Sequence, residues 1–216
     1  EKFFLSEIPF STFRLAIKKY AYSQSFTLEH LLATSGIINL DYDLLKLNPL
    51  SQSSLILLDP SFTMDGDFNV QRLLLIGWSY CQHESLDKQI LDLWQLANPH
   101  CEMSISKQQF EDLVQDLMYI AIAQRLMVVE KKGKEQDKAL LEYLKEISEK
   151  QKPEALQLYK KIEGDHLSYS QFIQITSKFL YKPYAIRQMI LGEMEEYDMS
   201  KFKLEQVLLK DKQLFQ

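Results

Sequence analysis

The chain repeats one short pattern. An isolated apolar residue sits in a polar loop, and five positions later comes the first strongly apolar or aromatic residue of a helix. Phe68 with Leu73, Ile105 with Phe110 and Leu167 with Phe172 fit it, and Phe26-Thr-Leu-Glu-His-Leu31 would supply a fourth instance and complete two pairs. Before each of the three loops lies a stretch with helical apolar spacing, so the recurring unit is helix, loop, isolated apolar residue, helix. Only six Gly and six Pro are spread over 216 residues, a shortage of turn formers that disfavours many short strands. With 46% apolar and 12% aromatic residues the chain can bury a substantial core. The expected fold class is all-α.

Helices are expected where apolar residues recur at three and four positions. Phe10, Phe13, Ile17 and Tyr20 mark the first, over Phe10 to Tyr22, and Leu28 to Ala33 the second, opened by Thr27 with His30 three residues later. Asn48-Pro49 starts a helix over Ser51 to Leu58; Val70 to Tyr80, the stripe Leu86, Ile90, Leu93, Trp94 and Ala97, and Phe110 to Leu126 follow. Glu130 to Lys152 mixes Lys with acids around a stripe of Leu140, Leu144 and Ile147, the pattern of a solvated helix with one sticky face. Pro153 is read as a break that opens the third cycle, through Ala155 to Tyr159 and the loop around Gly164-Asp165. Beyond Pro183, short helices are expected near Tyr184 to Met194 and Lys201 to Lys210.

Several function classes are disfavoured. The formal net charge of −5 comes from 30 acids and 25 bases interleaved along the chain, which gives no concentrated basic surface for nucleic acid. No apolar run approaches the roughly 20 residues of a membrane span, so a soluble chain is expected. Cys81 and Cys101 are too few for a disulfide scaffold and lack metal-type spacing, which points to a reducing intracellular compartment, cytoplasmic or cytoskeletal. The first residue is Glu1 rather than Met, which leaves an organellar targeting segment open. There is no G-x-S-x-G, H-E-x-x-H or phosphate-cradling Gly-rich loop, so catalysis would need an unrecognised site. His30, His83, His100 and His166 have no second ligand at metal spacing.

The repeated loops resemble those of the EF-hand superfamily. An EF-hand loop has twelve positions: oxygens come from 1, 3, 5, 7 and 9, Gly stands at 6, and a bidentate carboxylate at 12. Position 8 is apolar and links neighbouring hands, and position 13 starts the exit helix. Ile105-Ser-Lys-Gln-Gln-Phe110 and Leu167-Ser-Tyr-Ser-Gln-Phe172 resemble the second half of such loops. The order Asn48-Pro49-Leu50, helix, Asp59, Asp65-Gly66-Asp67-Phe68, Leu-rich helix and Asn98 loop resembles the middle of calcineurin B and its calcium-sensor relatives, including neuronal calcium sensors. The resemblance covers residues 48 to 120 and, more thinly, 154 to 180.

It implies an N-terminal pair over 1–82, with its second hand around 59–72; a C-terminal pair over 83–180, with loops at 98–109 and 160–171 and a charged helical insertion at 127–153; and a helical tail over 181–216. Asp59, Thr63, Asp65, Asp67 and Asn69 are the candidate calcium ligands. Arg72, however, stands where the bidentate carboxylate belongs, and Gln109 and Gln171 stand there in the later loops. A guanidinium removes two ligand oxygens and repels the ion, so no calcium cofactor is expected.

By the same resemblance, an EF-hand pair opens an apolar trough that takes an amphipathic helix of a partner protein. Trp78, Met118, Met189 and Met194 are the residues expected to line it, although Trp and Met on apolar helix faces also serve as core filler. The expected function is a non-catalytic interaction or scaffolding subunit that binds constitutively within a larger assembly. A calcium sensor acting through the 59–72 loop is the alternative, and an enzyme with an unrecognised site a third reading.

Overall fold

The computed structural model describes residues 4–21, 26–38, 52–57, 59–64, 67–133, 138–162, 164–179 and 183–191. These are mostly helical. They divide into two units, one ending at Glu84 and the other beginning at Ser85.

The first unit opens with a 3-10 turn, Phe4–Glu7, and holds α1 (Phe10–Tyr20), α2 (Leu28–Ile38), α3 (Gln52–Leu57) and α4 (Val70–Tyr80). Phe10, Phe13, Ala16 and Ile17 form the buried stripe of α1, which packs on α2 and α4. The helix starts are tied down by backbone pairing: Phe10 N–H donates to the Gln82 carbonyl at 2.9 Å and Gln82 N–H to that of Ile8 at 2.9 Å, so the first helix begins where the last one ends. Two two-residue strands, β1 (Thr63–Met64) and β2 (Asp67–Phe68), pair antiparallel ahead of α4.

Phe26 and Phe68, the isolated apolar residues of this unit, come together. Phe68 N–H donates to the Phe26 carbonyl at 2.7 Å, their rings meet edge-on at 6.3 Å, and both are buried. Leu31 and Leu73, five residues further on in each case, are fully buried at the start of their helices.

The second unit contains α5 (Leu86–Ala97), α6 (Lys107–Met118), a π-turn (Tyr119–Ala123), α7 (Gln124–Lys132), α8 (Lys138–Lys160), α9 (Tyr169–Phe179) and α10 (Pro183–Leu191). The same link recurs here in fuller form. β3 (Ser104–Ser106) pairs antiparallel with β4 (His166–Ser168), with Ile105 opposite Leu167, and Lys107 N–H extends the ladder to the Asp165 carbonyl at 2.8 Å. Ile105, Leu167, Phe110 and Phe172 are all fully buried. Phe172 lies edge-on to Phe110 at 6.1 Å and to Trp94 at 5.2 Å, and Trp94 meets Tyr169 at 5.2 Å, an aromatic ladder from surface to core.

The expected insertion at 127–153 takes a different form. Pro153 does not open a new cycle: α8 runs unbroken through it from Lys138 to Lys160. A proline inside a helix costs about 3 kcal/mol. That cost is offset because one apolar stripe, Leu140, Leu144, Ile147, Ala155 and Leu158, is buried along the whole helix. α8 packs against α7, α6 and the π-turn, so the charged stretch forms a helical hairpin. Gly133 ends α7 in the left-handed conformation at φ 55°, where its N–H caps the Val129 carbonyl. The Lys145–Glu130 ion pair across the hairpin is 3.6 Å long and about half exposed, and such pairs contribute little.

The structure also differs in detail at other ends. α1 stops at Tyr20 and α2 runs past Ala33 to Ile38, while Ser51 and Leu58, the expected ends of α3, lie outside the described residues. The helix expected to reach Leu126 is interrupted by the π-turn, where Gln124 N–H reaches back five residues to the Tyr119 carbonyl. The expected helix over Lys201 to Lys210 lies outside the described residues.

Candidate functional site

Each loop delivers its chain into a helix through a cap, and the four caps share one spacing. In the second unit Ser106 Oγ accepts from Gln109 N–H at 3.1 Å while Gln109 Oε1 accepts from Ser106 N–H at 2.7 Å, a reciprocal capping box. Ser168 and Gln171 repeat it, with Gln171 Oε1 accepting from Ser168 N–H at 2.9 Å. In the first unit His30 takes the place of glutamine: its Nδ1 accepts from Thr27 N–H at 3.1 Å, and His30 N–H donates to Thr27 Oγ1 at 3.3 Å. Asn69 caps α4, its Oδ1 accepting from Arg72 N–H at 3.0 Å.

The residue three after each cap is therefore His30, Arg72, Gln109 or Gln171. None is a carboxylate. In three of the four loops that side chain is turned back on its own cap, which satisfies a helix N-terminal N–H that would otherwise lack a partner. Ser106→Ala is expected to cost about 1 kcal/mol, whereas Gln109→Glu, which keeps the reciprocal bond, is expected to change stability by less than about 0.5 kcal/mol; urea denaturation of both variants checks this.

Three of the five candidate calcium ligands, Asp59, Asp67 and Asn69, are described with their side chains. Asp59 is buried, and its Oδ1 accepts from Ser61 N–H at 3.0 Å, the geometry of an Asx turn. Asn69 spends its oxygen on the α4 cap. Asp67 is half-buried on β2. Asp65 and the Thr63 side chain lie outside the described residues. Arg72 reaches across the loop, its Nη1 donating to the Ser61 carbonyl at 2.9 Å. A cationic donor thus holds a carbonyl at the start of the loop.

The Asn98 loop is closed by similar means. The buried Asn98 carboxamide brackets Glu102, its Nδ2 donating to the Glu102 carbonyl at 2.7 Å and its Oδ1 accepting from Glu102 N–H at 2.9 Å. Cys101, at φ 55°, takes the left-handed conformation inside this turn. Among the described residues, no group of three or more His, Cys, Asp and Glu side chains is placed to hold a metal ion.

Three of the four expected partner-facing residues are described. Trp78 is fully buried in the first unit, where its ring meets His83 edge-on at 6.1 Å and its carbonyl lies 2.8 Å from His83 Nε2. Met118 is buried at the end of α6. Both therefore belong to the core in this structure, because α4 and α6 present their apolar stripes inward. Met189 is half-buried on α10, and Met194 lies outside the described residues.

α10 carries Met189, one of the residues expected to line the trough. It packs against α6, the π-turn, α8 and α9, with Ile186 and Ile190 buried. Arg187 is also buried, and its Nη1 donates to the Ala121 carbonyl in the π-turn at 2.9 Å.

Two acid–base groups among the described residues are shifted by their surroundings. Burial pushes the Cys81 thiol well above its ordinary range, which keeps it protonated and inert. Burial, followed by the nearby Glu111 charge, raises the Tyr159 phenol, whose hydroxyl donates to the Glu111 carbonyl at 3.3 Å. Among the described residues, no helix is long and apolar enough to cross a membrane. No family model matches the chain, and no curated protein and no solved structure matches it.

Proposed function

We propose that this chain is a non-catalytic, EF-hand-like interaction or scaffolding subunit that binds a partner protein constitutively, as part of a larger assembly. The observation that carries this reading is the fate of the loop-closing residues. His30, Gln109 and Gln171 are tied to their own helix caps and Arg72 to the Ser61 carbonyl. A loop already closed by its own donors has no carboxylate to swing onto an ion, so it has no metal-dependent change of state to offer.

The paired links support the hand-like part of the reading. Phe26 with Phe68 and Ile105 with Leu167 join the loops two by two. The residues five positions later start the exit helices from within the core. A partner recognised by such a pair is an amphipathic helix.

Calorimetric titration of the chelator-stripped chain with calcium, with magnesium as a control, tests this directly. No binding heat is expected up to millimolar calcium. Micromolar, calcium-selective binding would replace the constitutive reading with a calcium sensor acting through the Asp59 to Asn69 loop.

A further inference from the structure

We propose that the outward face of α1 is a docking surface for an acidic segment of a partner protein, one that sets carboxylates on either side of an apolar residue. It stands on the residues of this helix alone and holds whatever the loops bind.

The face follows from helical spacing. Ser11, Arg14, Leu15 and Lys18 recur at steps of three and four, with Lys19 beside them, and they turn away from the buried stripe of Phe10, Phe13, Ala16 and Ile17. Leu15 is 70% exposed, more than any other large apolar residue on a described helix. Single exposed leucines are ordinary on a protein surface. This one has cations beside it and one turn further on. α1 contains no Asp or Glu, although the chain as a whole has 30 acids against 25 bases, so three cations within eleven residues reverse the sign locally.

The charge is also unanswered. Three helical lysines elsewhere are met by acids: Lys88 by Asp92 at 3.1 Å, Lys150 by Glu146 at 3.0 Å and Lys145 by Glu130 at 3.6 Å. Among the described residues Lys18 and Lys19 make no ion pair, and Lys19 lies over the ring of Tyr20 at 5.3 Å. Lysines in the last turn of a helix complement its dipole, which accounts for these two but not for Arg14 in mid-helix or for Leu15.

Cations around an exposed leucine select a ligand that is acidic and partly apolar. One carboxylate against Arg14 and another against Lys18 or Lys19 would bracket an apolar side chain laid on Leu15, and a basic segment is rejected by like-charge repulsion. A membrane surface suits the face less well. An interfacial helix inserts a broad apolar face, and that of α1 is in the core, which leaves Leu15 alone.

The test uses the full chain and a fluorescein-labelled synthetic peptide with a central leucine and glutamates in the turns on either side, followed by fluorescence anisotropy. A version with lysine in place of each glutamate is the control. The acidic peptide is expected to bind and the control not, and raising salt from about 0.05 M to about 0.5 M should weaken binding about tenfold. The double variant Lys18→Gln, Lys19→Gln should also weaken it about tenfold, and Leu15→Gln about fivefold. All three residues are exposed, so both variants are expected to unfold near the unmodified urea midpoint. Zero-length carbodiimide cross-linking of the peptide to the unmodified chain locates the site without any variant, with cross-links expected at Lys18 and Lys19.

Equal binding to the unmodified chain and the double-lysine variant would overturn the proposal. So would cross-links spread evenly to exposed lysines elsewhere, such as Lys152 and Lys160. Absence of peptide binding would overturn it too, and if mixed phosphatidylserine–phosphatidylcholine vesicles then bind through Lys18 and Lys19, the face belongs to a membrane contact instead.

Discussion

Phe172→Ala is expected to cost about 3–5 kcal/mol of unfolding free energy, the range for removing a fully buried aromatic side chain. Phe172 is the first core residue of α9 and the meeting point of Phe110 and Trp94, whose rings lie at 6.1 Å and 5.2 Å from it. Truncation leaves a cavity beside two large rings that cannot both move into it, because Phe110 is itself fully buried. Urea unfolding followed by circular dichroism should show a lower midpoint with an unchanged slope, the signature of lost stability rather than an altered unfolded state. Tyr169→Ala, at the exposed end of the same ladder, is the internal control and should cost less than about 1 kcal/mol. A loss below about 1 kcal/mol at Phe172 would mean that the spacing from Leu167 to Phe172 does not set the helix against its core.

Gly77→Ala is the second large effect, and its sign opposes helix propensity. In the interior of α4, alanine in place of glycine would ordinarily stabilise a helix by about 1 kcal/mol. Here a methyl group at Gly77 falls on the Cδ1 and Cε1 atoms of the Phe13 ring. Phe13 is fully buried on α1, so the two helices must separate or the ring must leave its rotamer. A net destabilisation of about 1–3 kcal/mol is expected. The double variant Phe13→Leu, Gly77→Ala should recover at least about 1 kcal/mol relative to the sum of the single changes. Additive single effects in that cycle would rule out the close approach of α1 and α4 at this point.

Much of the local structure was legible in the sequence because it is encoded over four to six neighbouring residues. The spacing of Phe13 and Ile17, the apolar run from Val70 and the stripe from Leu86 to Ala97 each set a helix through its own periodicity, and α4 and α5 have the expected ends. Thr27 with His30 marks a helix start three residues apart, and the structure adds that the cap is reciprocal. Phe110 and Phe172, as residues that begin helices from an isolated apolar partner, could likewise be picked out from their registers.

Of the candidate site, only the residue types were legible. That Arg72, Gln109 and Gln171, each three residues after a helix cap, are not carboxylates is plain from residue type alone. What those side chains do instead depends on loop geometry: whether Arg72 turns to solvent or to the Ser61 carbonyl is decided by a backbone that folds eleven residues back on itself.

Other features depended on tertiary structure altogether. Pro153 reads as a break because a proline's local cost is visible in the sequence, while the burial that outweighs it comes from packing against α7 and α6. Trp78 and Met118 sit on apolar faces that a sequence cannot assign to a groove or to a core, since both look alike along one helix. Arg187 finds the Ala121 carbonyl across 66 residues, at a π-turn that no periodicity announces. The sequence by itself determined most of the helices and the Thr27 helix start, because those follow from near neighbours. Tertiary structure alone decided which faces are buried, where the proline is tolerated and what the last described helix covers, because those depend on contacts between segments far apart in the chain.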